Sequence, residues 1–146
     1  MAETRVIFTD LELWAAGYLR QELAALADRY PVAADVEVSN REPDENGDSF
    51  PAKLVVVRDD SGPTLSVVSQ EKSLGVSTLA ATVEMSTDAK QLAALVFAIM
   101  NGCAGVEPGN PVAAVTESTG PYLVTEDQPR ARMYATHTLI VTGQAL

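Results

Sequence analysis

The residues of this sequence best suited to chemistry are two adjacent carboxylates, Asp59 and Asp60, in the segment VVVRDDSGP at 55–63. They follow Arg58 at the end of an apolar run, where acid–base and metal-binding carboxylates are often found. Turn formation explains the same residues, because Asp and Ser bond to nearby backbone, Gly accepts a positive φ and Pro fixes the exit. Adjacent strand residues also point to opposite faces. We therefore favour a turn over a carboxylate site.

The single histidine and the single cysteine add little further chemistry. His137 lies inside a patterned C-terminal segment, and Cys103 follows a predicted helix. They could meet in space, but no third residue is placed by its spacing to orient the histidine as a base. We interpret the first as a structural or interface histidine and the second as a small buried residue. One cysteine also excludes an intrachain disulfide.

Cofactor motifs are absent from the sequence. One Cys and one His cannot complete a tetrahedral zinc site. The segment GCAGVEPG at 102–109 lacks the lysine and the following helix of a phosphate loop, and no dinucleotide fingerprint is present. The segment DENGD at 44–48 lacks the ligand spacing of a calcium loop. We expect no catalytic residue, no metal and no cofactor, and hence no enzyme; an enzyme would use Asp59 or Asp60 first.

Composition indicates one globular domain over residues 1–146. The chain has 146 residues, of which 47% are hydrophobic and 21% charged. Its net charge of −10 repels phosphate backbones, which makes nucleic-acid binding a poor expectation. No signal peptide is visible, and the longest apolar run, QLAALVFAIM, is too short to span a bilayer. These features predict a soluble protein that folds in a cytoplasm.

The elements that must position these residues begin with a helix at 10–29. Thr9 is expected to cap it, with Glu12 completing a capping box, and Pro31 blocks its continuation. Leu and Ala at three- and four-residue steps give it one apolar face.

A second helix follows the segment STDA at 86–89. Ser86 or Thr87 is expected to cap it, and Asn101-Gly102 suits a left-handed stop. Its apolar residues cover nearly the whole circumference, which predicts burial by its own sheet or by a partner chain.

Alternating apolar residues predict strands at 32–40, 53–58, 64–69, 74–85, 111–117 and 130–143. The segments at 53–58 and 64–69 are expected to form a hairpin, and those at 40–52 and 118–130 to be long surface loops. One face of the last strand carries Met133, Ala135, His137, Leu139 and Val141. The fold class predicted is α+β, a mostly antiparallel β-sheet with two main helices packed on one face.

This layout resembles the tail terminator family of long-tailed bacteriophages, especially those of actinobacterial phages. The resemblance is carried by DLELWAAGYLRQEL, KLVVVRDDSGPTLSVVSQEKS, TLAATVEMSTDAKQLAALVFAIM, GPYLVTED and RARMYATHTLIVTG, in that order. It covers almost the whole chain and rests on the order and texture of the elements, not on a catalytic motif.

The resemblance implies a virion structural protein of the tail, assembled in the host cytoplasm. Such proteins form a hexameric ring on the head-proximal end of the tail tube, stop tube polymerisation and present the head–tail joining surface. The partners implied are other copies of this chain, the major tail tube protein and the head–tail connector protein. Genomic DNA passes through the lumen without specific binding, and no membrane, cofactor or catalytic residue is involved.

A ring requires two different contact patches on each subunit, because its contacts are heterologous. Candidates for the subunit interface are Arg58, Arg130, Arg132, Phe97 and Met100. The arginines would pair with acids of a neighbouring subunit, although solvated arginines explain them equally well. The two long loops are candidates for contacts with tube and connector. Two alternatives stay open: another head–tail connector or tail-completion protein, and a small α+β binding module that dimerises through the second helix.

Overall fold

The computed structural model describes residues 5–43, 50–126 and 128–146. Its regular elements in chain order are β1 Val6–Ile7, α1 Leu11–Leu26, β2 Glu37–Ser39, β3 Lys53–Asp59, β4 Ser69–Ala80, α2 Thr87–Asn101, β5 Val112–Val124, β6 Ala131–Thr142 and β7 Gln144–Ala145. A short 3-10 turn, Pro31–Ala33, follows α1.

Five strands form the main sheet in the order β2-β3-β4-β6-β5. Only β2 and β3 are parallel, and every other neighbouring pair is antiparallel. The two short strands β1 and β7 pair separately. Both helices pack on the same face of the main sheet, so the predicted α+β class is confirmed.

The core lies between the helices and this face. All five residues predicted to share one face of the last strand are buried, from Met133 to Val141. Leu139 and Val141 share the main core cluster with four buried residues that recur every fourth position in α1, which are Leu11, Ala15, Leu19 and Leu23. This spacing places those side chains on one stripe of the helix, as the sequence predicted. Met133 packs instead with alanines of β4, α2 and β6.

The start of α1 differs from the prediction. Asp10, not Thr9, occupies the N-cap position, and its Oδ1 accepts a hydrogen bond of 3.1 Å from the Leu13 N–H. Glu12 does not reach back to close a capping box. Its Oε2 instead accepts from the Asp59 N–H at 2.7 Å, and its Oε1 accepts from the Asn40 side chain at 3.1 Å. The carboxylate therefore ties the first turn of α1 to the end of β3.

The ends of α2 also differ from the prediction. Ser86 occupies the N-cap position without a capping hydrogen bond from its side chain. Gly102 ends the helix at a φ of −100°, so the expected left-handed stop is wrong. The buried residues of α2 lie mainly on one side, while Leu95, Phe97 and Ile99 are only partly buried.

The predicted strand at 64–69 is wrong. Only Thr64 makes an isolated bridge, to Gln70, and β4 begins at Ser69, which pairs with Thr142 of β6. The turn between β3 and β4 is therefore longer than expected, although the two strands are antiparallel as predicted. The alternating apolar residues of 64–68 have no neighbouring strand, so they stay exposed.

Two other strand boundaries are corrected. The strand predicted at 74–85 ends at Ala80, because Ala81 takes a φ of +55° and turns the chain out of the sheet. Residues 118–124, predicted as loop, continue β5 alongside β6. A register shift between Thr119 and Tyr122 accommodates the Gly-Pro pair within that strand. In the remainder of the predicted loop, the described residues 125, 126 and 128–130 are not strand.

The two edges of the sheet are unequal. At the β2 edge, the Arg20 guanidinium donates to the Val38 carbonyl at 2.7 Å, which covers part of a three-residue strand. At the other edge, β5 is thirteen residues long, and no described strand pairs with its outer side. An edge of this length offers a row of backbone groups for pairing with another chain.

Candidate functional site

The two acids of the opening segment are occupied in forming a turn and two ion pairs. Asp59 Oδ1 accepts from the Ser61 N–H at 2.7 Å, and its Oδ2 lies 3.2 Å from Lys72 Nζ. Asp60 pairs instead with Arg58, at 2.7 Å from Nε to Oδ1. The two carboxylates have separate partners and do not form a joint site. Asp59 therefore bonds to nearby backbone as its residue type predicts, but the chain reverses at 65–68 and not at 59–63. The Asp60 N–H still donates to the Ser73 carbonyl, and the Glu71 N–H to the Pro63 carbonyl. The positive φ falls on Ser61 instead of the glycine that follows it.

The face of the sheet that the helices leave uncovered, here called the open face, carries Arg58, Tyr134 and Tyr122. The Tyr134 hydroxyl lies over Gly75, where an added Cβ would come within 2.6 Å of it. Tyr122 packs edge-to-face against Tyr134, with ring centroids 5.9 Å apart. Tyr and Arg are the residue types enriched at protein–protein interfaces.

Arg58 is the most accessible cation of this face, since 66% of its side chain is exposed. The hydrogen bond that Arg58 donates to the Asp60 carboxylate raises the pKa of Arg58 above its ordinary value. The Asp60 carboxylate thus balances the charge of Arg58, while the Arg58 guanidinium remains accessible to another molecule. Of the predicted interface residues, Arg58 is the one that the structure places in the open.

Arg132 and Arg130 lie at the other end of the open face, in a polar cavity of about 280 Å³ that also contains Leu79. Arg132 is held by Glu42 and by Glu126, whose Oε1 lies 2.8 Å from Arg132 Nε. Burial acts to lower the pKa of Arg132, but the two carboxylates outweigh it and raise that pKa. Arg132 is therefore bound inside its own chain.

Arg130 stacks on an aromatic ring of the same chain. Its guanidinium carbon lies 3.6 Å from the centroid of the Phe50 ring, within the range of a cation–π contact. This contact places Phe50 and Arg130 side by side in the lining of the same cavity.

The two apolar interface candidates lie on α2 and face the core. Met100 is completely buried among residues of its own chain. Phe97 is partly buried, and its ring centroid is 5.1 Å from that of His137. The structure therefore gives both residues intramolecular partners.

His137 is the buried end of a short series of hydrogen-bonded side chains that begins at the surface. The Ser118 hydroxyl donates to Asn101 Oδ1 at 2.6 Å and lies 2.8 Å from His137 Nδ1. With the hydroxyl proton directed to Asn101, the tautomer of His137 that fits this contact is the one that donates from Nδ1 to Ser118. His137 Nε2 is buried without a partner among the described residues, and burial lowers the pKa of His137 to about 4.

This arrangement does not provide a nucleophile. An activated serine needs a histidine that accepts its proton, whereas Ser118 already donates to Asn101. The sequence could not reveal the contact, because Ser118 fell in a predicted loop and its register opposite His137 depends on the full length of β5.

The Cys103 thiol is equally unsuited to reaction. It is buried, and its desolvation raises its pKa to about 11, which keeps it protonated near neutral pH. Among the described residues, no group of three or more His, Cys, Asp or Glu side chains is placed to hold a metal ion. The segment DENGD lies outside the described residues.

Tyr122 and Tyr134 were missed as candidate site residues. Tyr134 had a usable signal, because it alternates with Met133 and Ala135 and therefore had to face away from the core. Tyr122 had none, since its segment was predicted to be a loop. In the described part of the chain, no helix is long and apolar enough to cross a membrane. Comparison of the chain with protein-family models and with curated protein sequences gives no match.

Proposed function

We propose that this chain is a phage virion structural protein that caps the head-proximal end of the tail tube as a ring. In this role it stops tube polymerisation and forms the head–tail joining surface. The resemblance in element order is the origin of the proposal. The observation that carries it is the open face, on which Tyr122 of the edge strand β5 packs against Tyr134 of β6 and the exposed Arg58 lies further in, on β3.

The net charge of the chain favours a ring that DNA passes through over a protein that binds nucleic acid. The chain has a net charge of −10, and three of its cations are paired with its own acids: Arg58, Lys72 and Arg132. A ring built from such subunits would carry a large net negative charge that repels passing DNA, so it would let the genome slide through.

The test is co-assembly with the tail tube protein, observed by negative-stain electron microscopy. We expect the wild-type chain to limit tube length and to form a ring at one tube end. Tyr122→Ser should weaken capping at least tenfold, because aromatic residues at the centre of an interface contribute about 2 kcal/mol or more.

Leu13→Ser is the matched control for this test. Leu13 is also an exposed apolar residue, at 70% exposure, but it lies on α1, on the covered side of the sheet. Its loss should leave capping unchanged. Tubes of unlimited length with a chain that remains monomeric beside them would refute the proposal.

One observation favours the alternative of a dimeric binding module. An apolar groove of about 390 Å³ runs between the Tyr30–Val32 segment and Gln91, Ala94 and Leu95 of α2. Dimerisation through α2 would cover this groove. A dimer in sedimentation experiments that Leu95→Glu dissociates, without rings on tubes, would support that alternative.

A further inference from the structure

Exposed apolar side chains gather at the end of the sheet where β4 begins. Leu65, Val67 and Val68, in the turn before β4, are 53%, 61% and 51% exposed. Ile7 of β1, which is also exposed, is near this turn in the chain path, because the Gly143 N–H donates to the Val68 carbonyl at 3.1 Å and Gly143 lies close to the Ile7 backbone carbonyl. We call Ile7, Leu65, Val67 and Val68 the Leu65 patch.

The turn that carries this patch is held by its own hydrogen bonds. The Leu65 N–H donates to the Ser69 carbonyl at 3.0 Å, and the Ser66 and Ser69 hydroxyls lie 2.7 Å apart. The Val68 N–H donates to Ser66 Oγ at 3.2 Å. The turn therefore presents a defined apolar tip, and little conformational entropy would be lost when it docks.

A second apolar surface lies where β4 ends. Val83 is 44% exposed and Met85 is 74% exposed. Met85 lines an open groove of about 390 Å³ together with Glu84 and Asp88. The Val83 N–H donates to the Pro129 carbonyl at 3.1 Å, which fixes this segment against the start of β6. We call Val83, Met85 and the groove the Met85 patch.

The two patches lie at opposite ends of a twelve-residue strand. At about 3.3 Å per residue, β4 separates them by roughly 36 Å. They are different surfaces, one a projecting tip and the other a groove. Two different patches that fit each other give a heterologous, head-to-tail contact between copies.

Charge next to the two patches is also complementary. Arg5 is exposed and directly precedes β1, two residues before Ile7. Glu84 and Asp88 are exposed and line the groove of the Met85 patch. A second copy that placed its tip in this groove would bring its Arg5 towards two carboxylates.

We propose that the Leu65 patch of one copy of this chain docks in the Met85 patch of the next. This contact rests on the proposed function in one respect: the tail role would make it the contact that closes the ring. Repeated head-to-tail contacts close into a ring when the rotation per copy permits it and otherwise give an open filament.

Disulfide capture between two single-cysteine variants tests this contact. Val67→Cys and Met85→Cys proteins, one of them carrying a mass tag, are mixed and treated with a mild oxidant. We expect a covalent dimer that contains one copy of each variant, and neither variant alone should dimerise. The native Cys103 is buried with its pKa raised to about 11, so its thiol should not compete.

A mixture of Leu13→Cys with Met85→Cys gives the yield from random collisions. Capture of Val67→Cys by Met85→Cys should exceed this yield at least tenfold. Equal yields in the two mixtures would overturn the proposal. Dimerisation of either variant by itself would also overturn it, because it would show a symmetric contact.

The charged part of the contact has its own test. Arg5→Glu in the Val67→Cys protein should lower the captured yield about two- to fivefold, as expected for an exposed ion pair. Glu84→Arg in the Met85→Cys protein should restore it. Insensitivity of the yield to both changes would remove Arg5 and Glu84 from the contact.

Failure of this inference differs from failure of the proposed function. Rings on tube ends without Val67–Met85 capture would leave the function standing and assign the ring contact to other surfaces. Capture without any effect on tube length would leave the head-to-tail contact standing and refute the tail role.

Discussion

At the residue scale, His137 links the charge of one side chain to the stability of the whole core. Burial lowers its pKa from 6.5 to about 4 in the folded chain, whereas the unfolded chain keeps the ordinary value. Between these pH values the unfolded state binds more protons than the folded state. The contribution of neutral His137 to stability is therefore complete above pH 6.5 and is lost as the pH falls towards 4.

We expect this histidine to change the free energy of unfolding by about 3 kcal/mol across that window. In His137→Gln, which can still donate to Ser118, the corresponding part of the pH dependence should disappear. Urea unfolding at several pH values measures the free energy of unfolding of both proteins. The carboxylates that the two proteins share contribute equally, so subtracting one curve from the other leaves the effect of His137. Parallel curves for the two proteins would show that His137 does not titrate in this range.

The residue types predicted local structure but not distant partners. Asp-Asp-Ser-Gly-Pro predicted the local bond from the Ser61 N–H to Asp59, because such residues act on nearby backbone, but it misplaced the reversal, which occurs at 65–68. That Lys72 would pair with Asp59, or that Glu12 would accept from the Asp59 N–H, depends on strand register and helix placement. Such contacts join residues far apart in the sequence, and local patterns do not encode them.

At the element scale, the cap of α1 allows a direct comparison of two neighbouring residues. Asp10→Ala removes the hydrogen bond to the Leu13 N–H and should destabilise the chain by about 1 kcal/mol. The melting temperature should fall by about 3 °C for a domain of this size. Thr9→Ala is the control, since Thr9 lies outside the cap position, and it should leave the melting temperature unchanged.

A larger loss in Thr9→Ala than in Asp10→Ala would restore the cap expected from the sequence. Thermal unfolding followed by circular dichroism decides between the two residues. The sequence alone could not separate them, because Thr and Asp are both favoured N-cap residues.

Strand periodicity predicted β6 well and β4 and β5 poorly. β6 is an interior strand of the sheet, and one of its faces is buried along its length and apolar except for His137, so its alternation is complete. β5 contains Gly120-Pro121, which resembles a loop, yet the strand continues because its register shifts at that point. The apolar residues of 64–68 suggested a strand, but they project from the molecule. An exposed contact surface and a core strand can have the same apolar composition. They differ in whether the rest of the same chain covers them, which the local sequence does not reveal.

At the scale of the whole molecule, β6 holds the sheet together. It pairs with β4 over twelve residues and with β5 on its other side. A chain that ends at residue 130 should therefore show no cooperative thermal unfolding. A chain that ends at residue 143 loses only β7 and should keep the transition with a lower midpoint.

Calorimetry of the two truncated chains measures this difference. A cooperative transition in the shorter chain would show that β2, β3 and β4 form a stable unit with the helices. Loss of the transition in both chains would instead show that the β1–β7 pair is essential for the fold.

The order of the sheet also governs when the protein can fold during synthesis. β4 and β5 are made before β6, yet they do not touch each other in the sheet, since β6 lies between them. While the ribosome still holds residues 131–142, each of these two strands has an edge that lacks its partner. The sheet is therefore completed only when β6 leaves the ribosome. Until then, the unpaired backbone groups of β4 and β5 must not pair with each other or with another chain.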